Sequence, residues 1–203
     1  MGVAKIHLSA EELALVQNAE LLLTKNRIIG KVYDLFGEMA VVLTSNLNER
    51  KEKLPEEVLL HSPKIARGEN YKGLPYVMLD YPRCFGKENV FAIRTFFWWG
   101  NFLSVTLHLK GTYQRNLESL LNKNCEMLRE AGFNLSVSGD EWNHDLSTTN
   151  QVPLVSGCFA LNEGNNANMT FCKLAARIEL SEWNQLKIIL PQLYDALCKA
   201  IAD

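Results

Sequence analysis

Residues 89–110 constrain the fold more than any other stretch of the chain, because two runs of alternating side chains flank Gly100 and Asn101. A Gly-Asn pair between strand-like runs is typical of a two-residue β-hairpin turn. Such a turn pairs Trp99 with Phe102 and thereby fixes the register of all the remaining pairs. The stretch therefore predicts two adjacent antiparallel strands in the middle of the chain.

In that register the two faces of the hairpin differ in chemistry. One face is apolar except for a single charge, Arg94. The other mixes large aromatic side chains with hydroxyl groups and an imidazole, and an apolar surface with a few convergent polar groups is typical of a small-molecule pocket. The residues predicted to share this second face are Phe91, Ile93, Thr95, Phe97, Trp99, Phe102, Ser104, Thr106, His108 and Lys110.

We therefore expect a pocket beside the hairpin that binds a small anionic or aromatic ligand. The side chains expected to line it are Tyr76, Thr95, Phe97, Trp99, Ser104, Thr106 and His108. The side chains expected to supply charge are Lys72, Arg83 and Arg94. Three alternatives stay open: simple structural packing of the same face, an enzyme with His108 as general base beside Asp80 or a hydroxyl, and an interaction module whose aromatic face forms a homodimer.

Arg94 is the one charge on the predicted apolar face. A guanidinium keeps its proton at every accessible pH, so its burial requires an anionic partner. The sequence offers Asp80 on the neighbouring strand, Asp34 or Glu38 on a helix, or a bound anion. Buried charges are normally paired within the protein, so an internal salt bridge is the favoured hypothesis.

The rest of the chain predicts one α+β domain over residues 1–203, a mainly antiparallel sheet packed against helices. Helices are indicated by a Ser9–Glu12 capping box, by apolar positions repeating from Ile28 to Leu47, by residues 112–132, and by residues from Ser181 onward, where Pro191 predicts a kink. Further strands are indicated at 75–81, 133–138, 152–161 and 169–180, and long loops at 60–74 and 139–151.

Two of these loops carry possible ligand groups. The first has four basic side chains but lacks the glycine spacing of phosphate-binding loops, so a solvated basic loop is the favoured interpretation. Its basic residues are His61, Lys64, Arg67 and Lys72. The second has ligand types that suit a divalent metal, but no partner cluster accompanies them and no metal site is expected. Its residues are Asp140, Glu141, His144 and Asp145.

The composition is that of an ordinary globular protein, with 47% apolar residues, 22% charged residues and a net charge of −2. Dispersed Lys and Arg argue against nucleic acid as a partner, and short apolar runs argue against a membrane span. No nucleotide-binding, metalloprotease or nucleophile motif is present, so no cofactor is expected. Glu11 and Glu12 near the start and five scattered cysteines favour a cytoplasmic location without a disulfide framework. These cysteines are Cys84, Cys125, Cys158, Cys172 and Cys198.

Three segments give the chain a resemblance to a known family. They are "YKGLP" at 71–75 followed by an aromatic strand, "VYDLFGEMAVVL" at 32–43 and "LPQLYDAL" at 190–197. In these segments and in the order of its elements, the chain resembles the YktB-like family of bacterial proteins of unknown function. It differs in its Trp98-Trp99-Gly100 turn and its Asn-rich loop near 162–168. The resemblance implies a single α+β domain and carries no assigned activity.

Overall fold

A computed structural model describes residues 6–155, 159 and 170–203 of the chain. The α-helices of these residues are α1 (Ala10–Gln17), α2 (Ala19–Asn48), α3 (Thr112–Lys123), α4 (Cys125–Glu130) and α5 (Leu186–Ala202). The strands are β1 (Lys64–Tyr71), β2 (Leu74–Phe85), β3 (Val90–Trp98), β4 (Phe102–Lys110), β5 (Asn134–Ser136), β6 (Gln151–Pro153) and β7 (Phe171–Glu179). Short 3₁₀ helices cover Lys51–Lys53, Glu56–Leu59 and Leu180–Gln185.

The seven strands form one antiparallel sheet in the order β1-β2-β3-β4-β7-β5-β6. Helices α2, α3 and α5 pack together over one face of this sheet, and the main hydrophobic core lies between them. The opposite face, called the outer face below, is covered by the loop that follows β5. This arrangement confirms the predicted α+β fold with an antiparallel sheet packed against helices.

Helix α2 follows directly from its sequence. Its buried side chains recur every three or four residues and so form one stripe along the helix. They are Ile29, Val32, Leu35, Phe36, Met39, Leu43 and Leu47. The predicted capping box is also confirmed, because the Ser9 hydroxyl accepts from the Glu12 N–H at 3.1 Å and the Glu12 carboxylate accepts from the Ser9 N–H at 2.7 Å.

The predicted register of the hairpin is wrong by one residue. Trp98, and not Trp99, pairs with Phe102, so the turn contains three residues. The three residues of the turn are Trp99, Gly100 and Asn101, and Gly100 has the positive φ, 71°, that glycine adopts readily in turns. The Trp99 N–H is bonded instead to the Pro75 carbonyl at 3.0 Å, which holds Trp99 outside the β3–β4 ladder.

This shift changes which side chains share a face. On the outer face Arg94 pairs with Thr106 and Phe96 with Ser104. Thr95, by contrast, faces the helices. The face that the sequence predicted as one pocket wall is therefore divided between the two sides of the sheet.

Several predicted boundaries also differ. Residues 64–71 form the edge strand β1 and not a loop, because an edge strand tolerates the polar residues that suggested a loop. Strand β2 continues past residue 81 to Phe85 through a cis Tyr81–Pro82 bond, and its pairing shifts there as at a bulge, where proline is tolerated. The helix predicted at 112–132 is divided at Asn124, which caps both α3 and α4.

The C-terminal part agrees more closely with the prediction. Strand β7 alternates as expected, with Leu174 in the core and Lys173 on the outer face. The last helical region begins with the 3₁₀ helix Leu180–Gln185, which is capped by Glu179 and not, as predicted, by Ser181. Pro191 lies inside α5. Of the strand predicted at 152–161, only the start lies in β6. Residues 156–158, 160 and 161 and the Asn-rich turn at 162–168 lie outside the described residues. None of the described helices combines the length and the apolar character that crossing a bilayer requires.

Candidate functional site

The residues predicted to form one pocket occupy several places in the fold. Thr95 and Phe97 face the helices, and Trp99 follows them at the end of β3. The predicted residues on the outer face are Tyr76, Arg94, Ser104, Thr106 and His108. Lys72 lies in the turn after β1 and pairs with Asp145 at 2.8 Å. The Arg83 guanidinium donates to the Ser62 carbonyl at 2.8 Å, apart from both groups.

Two candidate sites emerge from this placement. The first is a cluster of ionisable side chains on the outer face, named here the charged cluster. Its members are Asp80, Arg94, His108, Glu141, His144 and Lys173. The second is an open depression at the end of the hairpin, named here the aromatic groove. Its members are Ile28, Lys31, Phe97, Trp99, Gly100, Leu180 and Trp183.

The charged cluster is built around an internal ion pair. The Arg94 guanidinium donates two hydrogen bonds to the Asp80 carboxylate, at 2.6 and 2.9 Å. The bidentate arrangement suits the planar fork of arginine, and it confirms the salt bridge that the sequence favoured for Arg94. A third guanidinium nitrogen lies 3.0 Å from His144 Nε2. The charge of Arg94 is therefore compensated within the protein.

The loop that carries Glu141 and Asn143 closes over this cluster and is held by cations of the sheet. The Lys173 ammonium donates to the carbonyl oxygens of Glu141 at 3.0 Å and of Asn143 at 2.6 Å. The Glu141 carboxylate accepts from Lys110 at 2.9 Å and lies 3.2 Å from His108 Nε2. Lys173 is only 2% exposed, so the loop covers it almost completely.

Burial among cations depresses the basicity of the cluster. Burial, reinforced by the Lys173 charge, lowers the pKa of His108 to about 4, although Glu141 acts in the opposite direction. Burial and the charges of Lys173 and Arg94 lower the pKa of His144 to about 2. Burial, with Arg94 nearby, lowers the pKa of Lys173 to about 8. Both imidazoles are therefore neutral at neutral pH.

The charged cluster leaves almost no free space. Its cavity has a volume of about 10 Å³, which is room for about one water molecule. His144 Nδ1 is buried there and has no hydrogen-bond partner among the described residues. An enzyme using His108 as base needs a carboxylate within reach and access to a cavity. Glu141 supplies the carboxylate, but the closed loop leaves His108 without access to a larger cavity.

The aromatic groove is larger and open, with a volume of about 440 Å³. Phe97 forms its floor and makes edge-to-face contacts with Trp99 and Trp183, at centroid distances of 6.2 and 6.1 Å. Helix α2 contributes Ile28 and the exposed Lys31 at its rim. No ion pair joins Lys31 to another residue in the described part of the chain. A second depression of about 310 Å³ shares Lys31 and Trp183 with the groove.

Sequence reasoning found the hairpin residues of this groove but missed the others. Trp183 was expected only as part of the last helix, and Ile28 only as the first of the repeating apolar positions of a helix. The groove forms because β7 pairs with β4, so that Glu179 lies opposite Phe102 and the following 3₁₀ helix begins beside the hairpin turn. No local pattern predicts this neighbour relation, because the residues involved are far apart in sequence.

The acidic loop offers no assembled metal site. Within 6–155, 159 and 170–203, no three His, Cys, Asp or Glu side chains gather in an arrangement that could hold a metal ion. Glu141 is engaged by Lys110, and Asp145 by Lys72. No family model, curated protein or solved structure matches the chain, so the YktB-like resemblance stays a prediction.

Proposed function

We propose that this protein binds a small aromatic ligand carrying an anionic group, and that the ligand occupies the aromatic groove. The observation that carries the proposal is the presence of two indole rings beside an ammonium group in one open volume of about 440 Å³. Pockets for small molecules typically have volumes of roughly 300–1,000 Å³ and apolar, aromatic walls with few polar groups. A planar ligand would pack against Trp99 and Trp183 as Phe97 already does.

The preference for an anion rests on Lys31. Its ammonium group stands at the rim without an ion pair to a described residue, whereas the nearby Lys187 is already paired with Glu38 at 2.7 Å. A carboxylate on the ligand would gain a charge-assisted hydrogen bond from Lys31. Because Lys31 is exposed, we expect this contact to direct the ligand more than to dominate its affinity.

The two probes for the test are indole-3-acetate and its neutral amide, measured by isothermal titration calorimetry. We expect saturable binding of both probes, with the acid binding more tightly. Trp99→Ala should weaken both, because it removes a wall of the groove. Lys31→Gln should reduce the affinity of the acid to that of the amide and leave the amide unchanged.

The matched control is Trp142→Ala. Trp142 is 45% exposed on the loop over the outer face, so its removal should leave binding of both probes unchanged. Absence of saturable binding at millimolar probe concentration would contradict the proposal. Equal loss of binding in the Trp99 and Trp142 variants would contradict the assignment to the groove.

An enzyme using His108 is a second candidate, supported by the 3.2 Å contact between His108 and Glu141. A pKa of about 4 makes His108 a weak base at neutral pH, and the closed loop separates it from substrate. This candidate therefore requires the loop to open. A nuclear magnetic resonance titration that gave His108 a pKa near its ordinary value of 6.5 would favour the enzyme.

A further inference from the structure

The N-terminal helical region has no partner within the described chain. Helix α1 buries none of its residues, and the first buried residue of α2 is Ile29. Residues 6–24, named here the N-terminal arm, nevertheless carry many large apolar side chains that are 47% to 85% exposed. They are Ile6, Leu8, Leu13, Leu15, Val16, Leu21, Leu22 and Leu23.

This exposure is concentrated in the arm. Eight of the seventeen exposed large apolar side chains of the described residues lie there. Isolated apolar residues on a surface are ordinary, but a contiguous group marks a contact surface. A helix of eight residues such as α1 is also marginal in water without tertiary packing. The arm therefore has the properties of one half of an interface.

The charged residues of the arm and of the helix turns after it indicate which molecule forms the other half of the interface. The arm carries Glu11, Glu12 and Glu20 and has no Lys or Arg. The next turns of the same helix reverse this pattern, since residues 25–31 carry three basic side chains and no acidic one. Those basic side chains are Lys25, Arg27 and Lys31. Within the chain Lys25 pairs with Glu69 and the exposed Arg27 pairs with Glu20 at 2.8 Å, whereas Glu11 and Glu12 form no ion pair to a described residue. Two copies that run antiparallel would bring these two unpaired carboxylates beside the basic turns of the partner.

We infer that the partner is a second copy of this chain and that the two arms pack antiparallel about a two-fold axis. Each acidic arm then lies beside the basic turns of its partner, and the leucines of both arms are buried between them. A lipid surface fits less well, because amphipathic helices that bind membranes usually carry Lys and Arg on their polar face. The inference goes beyond ligand binding and uses a different surface, with Lys31 as the one shared residue.

The first test is sedimentation equilibrium of the full chain. We expect the unmodified protein to be dimeric, and L15E combined with L22E to weaken the dimer at least tenfold. Both leucines are more than half exposed, so the double variant should keep its fold, as checked by circular dichroism. The matched control is V41E combined with I188E, which makes the same change at exposed apolar positions outside the arm and should leave the dimer intact.

The second test uses charge reversal at positions outside the groove. Glu11→Lys and Arg27→Glu should each weaken self-association, and an equimolar mixture of the two variants should dimerise more tightly than either alone. A monomeric unmodified chain at high concentration would overturn the inference, as would a dimer that survives L15E and L22E. Binding of the unmodified chain to phosphatidylcholine vesicles without dimerisation would overturn it in favour of a lipid surface.

Discussion

At the scale of single residues, Thr95 shows how a one-residue shift changes the meaning of a side chain. The sequence placed its hydroxyl in a ligand pocket. In the fold it is fully buried and lies 2.6 Å from the Tyr194 hydroxyl on α5. Burial also raises the pKa of Tyr194 well above its ordinary value, so this pair stays uncharged. The contact ties the sheet to α5 and is structural.

We predict that Thr95→Val lowers the free energy of unfolding by about 1 to 3 kcal/mol, because it leaves the Tyr194 hydroxyl buried without a partner. The double variant T95V with Y194F should lose less than T95V alone, because neither polar group then remains. Urea denaturation of the three proteins gives both values. A T95V variant as stable as the unmodified protein would show that the pair is not a buried hydrogen bond.

At the scale of elements, a helix or strand was predicted correctly where a local sequence pattern alone determines its structure. Helix α2 and strand β7 were predicted because burial on one face imposes a strict period on the sequence. Strand β1 was missed because an edge strand is mostly exposed, so its sequence does not have to alternate between apolar and polar residues. The hairpin turn was displaced because its length depends on the bond from Trp99 to Pro75, a residue of another strand.

The interior of α2 offers a test of intrinsic helix propensity. An added Cβ at Gly37 would meet no atom within 4 Å, so Gly37→Ala should stabilise the protein by about 0.5 to 1 kcal/mol. Gly100→Ala is the matched control. It has equal space, but its φ of 71° disfavours alanine, so it should destabilise by about 1 kcal/mol. Thermal unfolding distinguishes the two signs, and a shift of the same sign in both would contradict the reasoning.

At the scale of the whole molecule, the charged cluster makes stability depend on pH. The folded chain holds His108 with a pKa of about 4 against the ordinary 6.5. As the pH falls below 6.5, the unfolded chain binds a proton that the folded chain rejects, so the free energy of unfolding decreases down to about pH 4. The lowered pKa of His144 acts in the same direction.

We predict that His108→Gln reduces this acid-induced loss by on the order of 3 kcal/mol, as measured by denaturant unfolding between neutral pH and pH 4. The exposed His61→Gln is the control and should follow the unmodified protein. The charged side chains around His108 are kept in both variants; they are Arg94, Lys110, Glu141 and Lys173. Parallel pH profiles for the two variants would contradict burial of a neutral imidazole.

The candidate sites were less predictable than the fold. The Arg94–Asp80 pair was anticipated because burial of a guanidinium requires an anion and Asp80 lies on the neighbouring strand. The aromatic groove was only half anticipated, since it depends on the pairing of β4 with β7. The closure of the loop over Lys173 had no sequence signal, because two backbone carbonyls hold it and any residue supplies a carbonyl.

The margins of the sheet have a consequence for how this protein behaves at high concentration. Exposed charges at Lys64, Arg67 and Glu69 line one margin, and the other margin of the sheet formed by the described residues is a three-residue strand ending in Pro153. A strand from another molecule would have to remove water from the charged side chains at the first margin. At the second margin Pro153 has no backbone N–H to donate to it. Fibrous growth by strand addition to these margins of the sheet is therefore discouraged.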